Sequence, residues 1–180
     1  FTPREMALFL MNEVANRVGV RATCGIGTNL YLAKIALDIT AKKSPDYIGY
    51  LDENTYINTL WDHRPLTDFW RIGPGTARKL ARIGIDTMGG IARAAEDLMS
   101  KMFGIDAELV IDHAWGKEPT TIADIKAYKP KSNSLSSGQV LMRDYTFDEA
   151  KVVIKEMAEA LCLQMTAKGL NASSLTIMVG

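Results

Sequence analysis

Trp70-Arg71-Ile72-Gly73-Pro74-Gly75-Thr76-Ala77-Arg78-Lys79-Leu80 joins a glycine-rich turn directly to a basic helix. Gly73 and Gly75 permit a tight turn that side chains would obstruct, and Pro74 fixes one φ. The pattern predicts a helix over 76–83, whose first N–H groups lack intrahelical partners and favour an anion. Arg71, Arg78, Lys79 and Arg82 place four cations in residues 71–82 with no acid. Such a turn is suited to gripping a phosphate. The alternative is an ordinary connection between helices with a solvated basic face.

Ile72-Gly73-Pro74-Gly75, Thr76-Ala77 and Leu80, followed by Ile83-Gly84-Ile85-Asp86-Thr87, resemble the helix-hairpin-helix of DNA repair and replication proteins. The resemblance implies a hairpin that holds one DNA strand by its backbone, with Ile72, Gly73, Gly75, Thr76, Arg78 and Lys79 at the DNA. One position departs from the pattern. The family usually has a glycine before the apolar hairpin residue, and this chain has Arg71 there.

Global composition does not announce a nucleic-acid partner. Lys and Arg number 21, as do Asp and Glu, and the pI is near 6.9, so DNA affinity has to come from local asymmetry. A second asymmetric window is 126–143, where Lys126, Lys129, Lys131 and Arg143 stand without an acid. With 180 residues, 47% hydrophobic, the chain can bury a core in one large domain or two small ones. Cys24 and Cys162 are far apart, and the histidines are His63 and His113, so neither a zinc site nor a disulfide framework is indicated. His113, beside Trp115, reads as a core or capping residue. No apolar run reaches the roughly 18 residues of a membrane span, and the chain reads as cytoplasmic and nucleoid-associated, without a membrane partner. Its opening without Met and its strand-like end at 175–179 read as a segment of something longer.

Thr2-Pro3-Arg4-Glu5 is a capping box with proline at the first helical position, and an apolar stripe follows over 3–18. Residues 21–26 alternate as a strand, Gly25-Ile26-Gly27-Thr28-Asn29 turns the chain, 29–40 has helical spacing, and 47–51 is a second strand. The two glycines lack the rest of a dinucleotide fingerprint or a P-loop. Asp52-Glu53 starts a helix to 60, and helical spacing recurs through 116. Residues 117–135, with two prolines and a Ser/Asn cluster, read as a linker. Beyond it, 136–144 reads as a strand, Thr146-Phe147-Asp148-Glu149 opens a long amphipathic helix, and 174–179 reads as a strand.

Cys24-Gly25-Ile26-Gly27-Thr28-Asn29, with Leu32-Ala33-Lys34-Ile35-Ala36, resembles the palm of Y-family translesion DNA polymerases of the UmuC/DinB type. In that family a lysine near a proline follows this helix and reaches the incoming triphosphate. Thr40-Ala41-Lys42-Lys43-Ser44-Pro45 offers Lys42 or Lys43 for that role, the alternative being two solvated lysines at a helix end.

The order of motifs extends this resemblance over nearly the whole chain and implies an α+β fold. Residues 1–52 would be the C-terminal part of the palm, 53–116 a helical thumb with the helix-hairpin-helix, 117–135 a linker, and 136–180 the first β-α-β half of the little finger. The implied activity is error-prone DNA-directed DNA synthesis across damage. Mg²⁺ would be the cofactor and primer-template DNA and deoxynucleoside triphosphates the partners. A sliding clamp would bind a region beyond this chain. The second basic window also suits phosphate contact, which adds Lys129, Lys131 and Arg143 as candidate DNA-binding residues besides the hairpin. The family's metal-binding carboxylates lie in motifs that this sequence lacks and that are expected upstream of Phe1, so no catalytic or metal-ligating residue is assigned. Asp52-Glu53 reads as a helix cap. The reading from a different class is a noncatalytic helix-hairpin-helix DNA-binding accessory module.

Overall fold

The computed structural model describes residues 1–130 and 133–180. Helix α1, Pro3–Val18, starts as its capping box dictates: the Glu5 N–H donates to Thr2 Oγ1, and the Thr2 N–H donates to the Glu5 carboxylate at 2.7 Å. Strand β1, Cys24–Gly27, pairs in parallel with β2, Ile48–Leu51, with Cys24 opposite Ile48. Between them runs α2, Leu30–Ile35, capped by the Asn29 carboxamide oxygen, which accepts from the Leu32 N–H at 2.8 Å. A wider π turn, Ala36–Thr40, and a 3-10 turn, Ala41–Lys43, continue it.

The strand glycines explain how this unit packs. A Cβ added to Gly25 would lie 2.1 Å from the Ala33 carbonyl oxygen, one on Gly27 2.2 Å from the Ala33 nitrogen, and one on Gly49 2.4 Å from the Ala36 carbonyl oxygen. The 30–43 helical run therefore rests its backbone on a sheet face that carries no side chains there. Gly25 and Gly27 are packing residues.

Helices α3, Glu53–Leu60, α4, Pro74–Ala81, α5, Met88–Ala92, α6, Glu96–Phe103, and α7, Ala107–Ala114, follow. Asp52 caps α3 by accepting from the Thr55 N–H at 2.7 Å, as its reading as a cap requires. Tyr31, Leu32 and Ile35 share one hydrophobic core with Tyr56, Phe69, Leu80, Ile91, Met99 and Ala114. Contacts divide the chain into two compact units, Phe1–Ala127 and Tyr128–Gly180.

Four local expectations are corrected. The helix expected over 76–83 starts at Pro74, because proline suits the first helical position and Gly75 accepts helical angles. Before the 69–73 turn there is a single 3-10 turn, Leu66–Asp68, in place of a first hairpin helix. The linker region contains α8, Ile122–Ala127, which Thr121 starts by accepting from the Asp124 N–H at 3.2 Å while the Asp124 carboxylate accepts from the Thr121 N–H at 2.8 Å. In the second unit α9, Phe147–Ala167, forms with both halves of its capping box, but 136–144 and 174–179 are not strands. Alternation can orient a strand, but a ladder requires a backbone partner, and no pairing to either segment occurs among the described residues.

Gly25→Ala should lower the unfolding free energy by about 3 kcal/mol, the upper range for overpacking, because the obstructing atoms are backbone. A Cβ at Gly73 meets nothing within 4 Å, so Gly73→Ala should stay within about 1 kcal/mol of the parent, as expected of a Gly to Ala cap change. Urea unfolding of both variants checks the contrast.

Candidate nucleic-acid interface

Local geometry at the 69–73 turn follows from one unusual residue. Arg71 has φ 71, the left-handed region that glycine occupies without a Cβ penalty. The glycine expected there from the resemblance is thus absent while the conformation that calls for it is kept. Gly73 itself has φ −81 and acts as the cap residue of α4, so neither it nor the helical Gly75 is needed for a left-handed turn. Their Cβ positions are open to space, which leaves the backbone of the turn approachable.

Helix α4 has no side-chain cap and no acid in its first turn, so its positive end is not neutralised locally. Thr76 is half-buried, and Arg78 and Lys79 are exposed one turn on. Arg71, Arg78, Lys79 and Arg82 form no salt bridge among the described residues, whereas nearby Arg64 is held on Asp86 at 2.8 and 3.0 Å. Lys79 rests its ammonium 5.9 Å from the Phe103 ring centroid. Ile72 is different: its side chain is 6% exposed in the core, and its N–H donates to the Phe69 carbonyl. It supports the turn from beneath.

The other sequence-derived residues belong to other segments of the chain. Lys42 and Lys43 are exposed in the 3-10 turn at the end of the α2 run. Lys129 is exposed in the second unit, and Lys131 lies outside the described residues. Arg143 donates to both Glu149 oxygens, at 2.6 and 3.3 Å, and sits 4.5 Å from the Tyr145 ring centroid. With the Thr146 N–H as a second donor, that contact pulls the Glu149 carboxyl down to about 2.

His113 is buried as a structural residue. Its ring stacks on Tyr31 with centroids 4.0 Å apart, and its Nε2 lies 3.0 Å from Glu118 Oε2. The Tyr56 hydroxyl donates to the His113 carbonyl, Asn29 Nδ2 to the Gly116 carbonyl and Trp61 Nε1 to the Ala114 carbonyl. Residues 113–118 are thereby tied to α2 and α3. Trp70 closes against this knot with its ring centroid 5.9 Å from that of His113, while 42% of the residue stays exposed. Sequence reading assigned no role to Trp70 or Glu118; the five-residue spacing of His113 and Glu118 was the available signal.

The carboxylates present do not fit a divalent metal. No group of three or more His, Cys, Asp or Glu is placed to hold one among the described residues. Asp52 is consumed as a cap, Asp38 pairs with Lys34 at 3.0 Å, and Asp46 accepts from Ser44, Ile48 and Arg4. No helix of the described residues is long and apolar enough to cross a membrane.

No protein-family model matches the sequence. The chain is 34% identical over 177 residues to the DNA repair protein homolog YobH of Bacillus subtilis, covering 97% of this chain and 79% of that protein. It is 32% identical over 180 residues to DNA polymerase IV 2 of the same organism, covering 98% of this chain but 42% of the relative. The chain belongs to the Y-family of DNA polymerases. Its fold agrees: the insertion ternary complex of Dbh DNA polymerase superposes with a TM-score of 0.55 at 18% identity, over 89% of this chain and 59% of that one. This Y-family chain thus spans about two fifths of the polymerase IV relative and about four fifths of the repair homolog.

In this Y-family chain acid should loosen the knot at His113. Burial lowers the His113 pKa more than its hydrogen bond to Glu118 raises it. Burial opposes ionisation of Glu118, but hydrogen bonds from Thr120 and His113 outweigh it and lower its pKa. Both groups therefore take up protons more readily when unfolded. Their contribution is complete above the ordinary imidazole value of about pH 6.5 and is lost as pH falls through the lowered His113 value and then that of Glu118. Urea midpoints should be level above neutrality and decline on acidification. His113→Gln should be less stable overall but flatter in the first, imidazole part of that decline.

Proposed function

We propose that the chain is the DNA-gripping portion of an error-prone translesion polymerase. Residues 1–52 would be the end of the palm, 53–116 the thumb with a modified helix-hairpin-helix, 117–135 a linker and 136–180 the start of the little finger. The observation that carries this reading is the open backbone at Gly73 and Gly75, the cap and first turn of α4, which has no side-chain cap and no acid there, with Arg78 and Lys79 beyond it in no salt bridge among the described residues. Backbone N–H groups there can meet a phosphate closely, and the two cations add charge without reading bases. The Dbh neighbour is named as a ternary complex, which supports DNA as the partner.

Lys42 or Lys43 would meet the triphosphate of an incoming deoxynucleotide in the whole enzyme. Both are exposed at a helix end, where an ammonium acts as a point charge. Lys129 and Lys131 would add phosphate contacts. Arg143 would have to exchange its exposed pairing with Glu149 for one, an exchange of low cost because exposed ion pairs contribute little. Divalent metal chemistry would belong to carboxylates other than those described. The isolated chain is therefore expected not to extend a primer. The clamp and the nucleoid would engage the whole polymerase.

Gly73→Val should weaken binding to blunt duplex DNA about as much as Arg78→Ala with Lys79→Ala, without altering the circular dichroism. The double variant should also lower the salt-dependence slope by roughly 1.8, at about 0.9 for each of two phosphate contacts. Fluorescence anisotropy at several salt concentrations measures both effects. Parent-like binding by Gly73→Val would return the turn to a structural role. In the whole enzyme, Lys42→Ala with Lys43→Ala should raise KM for nucleotide with little change in DNA affinity, as read from primer-extension kinetics.

A further inference from the structure

Along the turn lies a depression of about 380 Å³ whose lining includes Gly73 of the duplex grip but neither Arg78 nor Lys79. Thr67 and Arg71 line it together with an indole, Trp70, and two carboxylates, Asp38 and Asp68, which a duplex phosphate does not use. Trp70 is 42% exposed, and its ring centroid lies 5.9 Å from that of His113. The Arg71 guanidinium lies 5.5 Å from the indole centroid and has no carboxylate partner among the described residues. Asp38 contacts Lys34 yet keeps further lone pairs, because a carboxylate can accept about four hydrogen bonds.

We propose that this depression takes one unpaired nucleotide of a DNA strand, with its base against Trp70, its phosphate on Arg71 and base N–H groups directed to Asp38. The inference rests on the DNA-binding reading above and adds a site for unpaired DNA. An inorganic phosphate would leave the indole unused and meet two carboxylates, Asp38 and Asp68, and a wholly apolar ligand would oppose three charged groups. A base inside a duplex is stacked on both faces and cannot lie on an indole, whereas an unpaired base can. The volume is near the small end of the roughly 300–1,000 Å³ typical of ligand sites, a size suited to one nucleotide. Arg71 covers the indole loosely at 5.5 Å, so an arriving base exchanges an exposed cation–π contact for stacking, and the guanidinium turns to the phosphate.

The experiment compares binding of the full 180-residue chain to a blunt duplex and to the same duplex with a short unpaired overhang, with free deoxyadenosine monophosphate as competitor. The overhang should tighten binding about tenfold, within the range of one base stacked on an aromatic side chain. Trp70→Ala should remove the difference between the two duplexes, both measured with that variant, while Trp70→Phe should keep most of it, which separates stacking from damage to the fold. Arg71→Ala should reduce the gain and its salt dependence. Equal affinity for the two duplexes, with blunt-duplex binding intact, would overturn the site but not the duplex grip. A gain that survives in Trp70→Ala would overturn it too. Competition by the free nucleotide as strong as by the overhang would replace a strand site with a mononucleotide site. Failure to bind either duplex would remove the DNA-binding reading itself.

Discussion

The structure of the first unit depends on how closely the 30–43 helical run approaches the glycine face of β1 and β2. With ideal Cβ positions 2.1–2.4 Å from helix backbone atoms, side chains at Gly25, Gly27 or Gly49 would push the helix off the sheet. That approach fixes the start of α2, and with it Asn29 and Tyr31. Asn29 uses its oxygen to cap α2 and its nitrogen to hold the Gly116 carbonyl, while Tyr31 stacks on His113. The last turn of α7 is thereby anchored to the strand-helix-strand part, and Trp70 is propped against the same histidine. A constraint made of missing side chains in two short strands is thus transmitted, through two polar residues and a ring stack, to the basic turn.

Charge is arranged by a similar division of labour. The chain is neutral overall, but many of its acids are committed to local structure: Asp52, Asp124 and Glu149 at helix starts, Asp86 on Arg64, Glu118 on His113. The cations of 71–82 have no such partners among the described residues. A neutral protein can therefore present a positive surface without an excess of basic residues, because compensation is local while attraction of a polyanion sums over the exposed charges. Among the relatives, one that is mostly covered by this chain is named for DNA repair, and one covered by two fifths is named a polymerase. No group of three or more of the described His, Cys, Asp and Glu residues is placed to hold a metal ion.

Much of the fold was legible in the sequence because it is set by short-range rules. Capping boxes at Thr2 and Thr146 and the Asx cap at Asp52 identify helix starts with local hydrogen bonds alone, and they form as written. Apolar spacing marks α1 and α9, and motif order carries the family. The local rules also misplace the start of α4, where proline and glycine are compatible with a first helical turn as well as with a loop. They cannot create strands at 136–144 and 174–179, since pairing is a property of two segments.

Of the candidate site, the residue types were determined by the sequence and their roles by the tertiary structure. Glycine at 73 and 75 signalled backbone access, but the left-handed residue is Arg71, a choice that depends on how the turn is held by Ile72 below and Trp70 beside it. Ile72 reads like a neighbour of DNA and is a core residue, because apolar character alone does not say which surface it meets. Asp38 and Trp70 are 32 positions apart and line one depression only once α2 and the 69–73 turn share a core. Sequence determines hydrogen bonds that span three or four residues and the charge available along a helix. Which side chains face a common space is decided by packing across tens of residues, where no local rule operates.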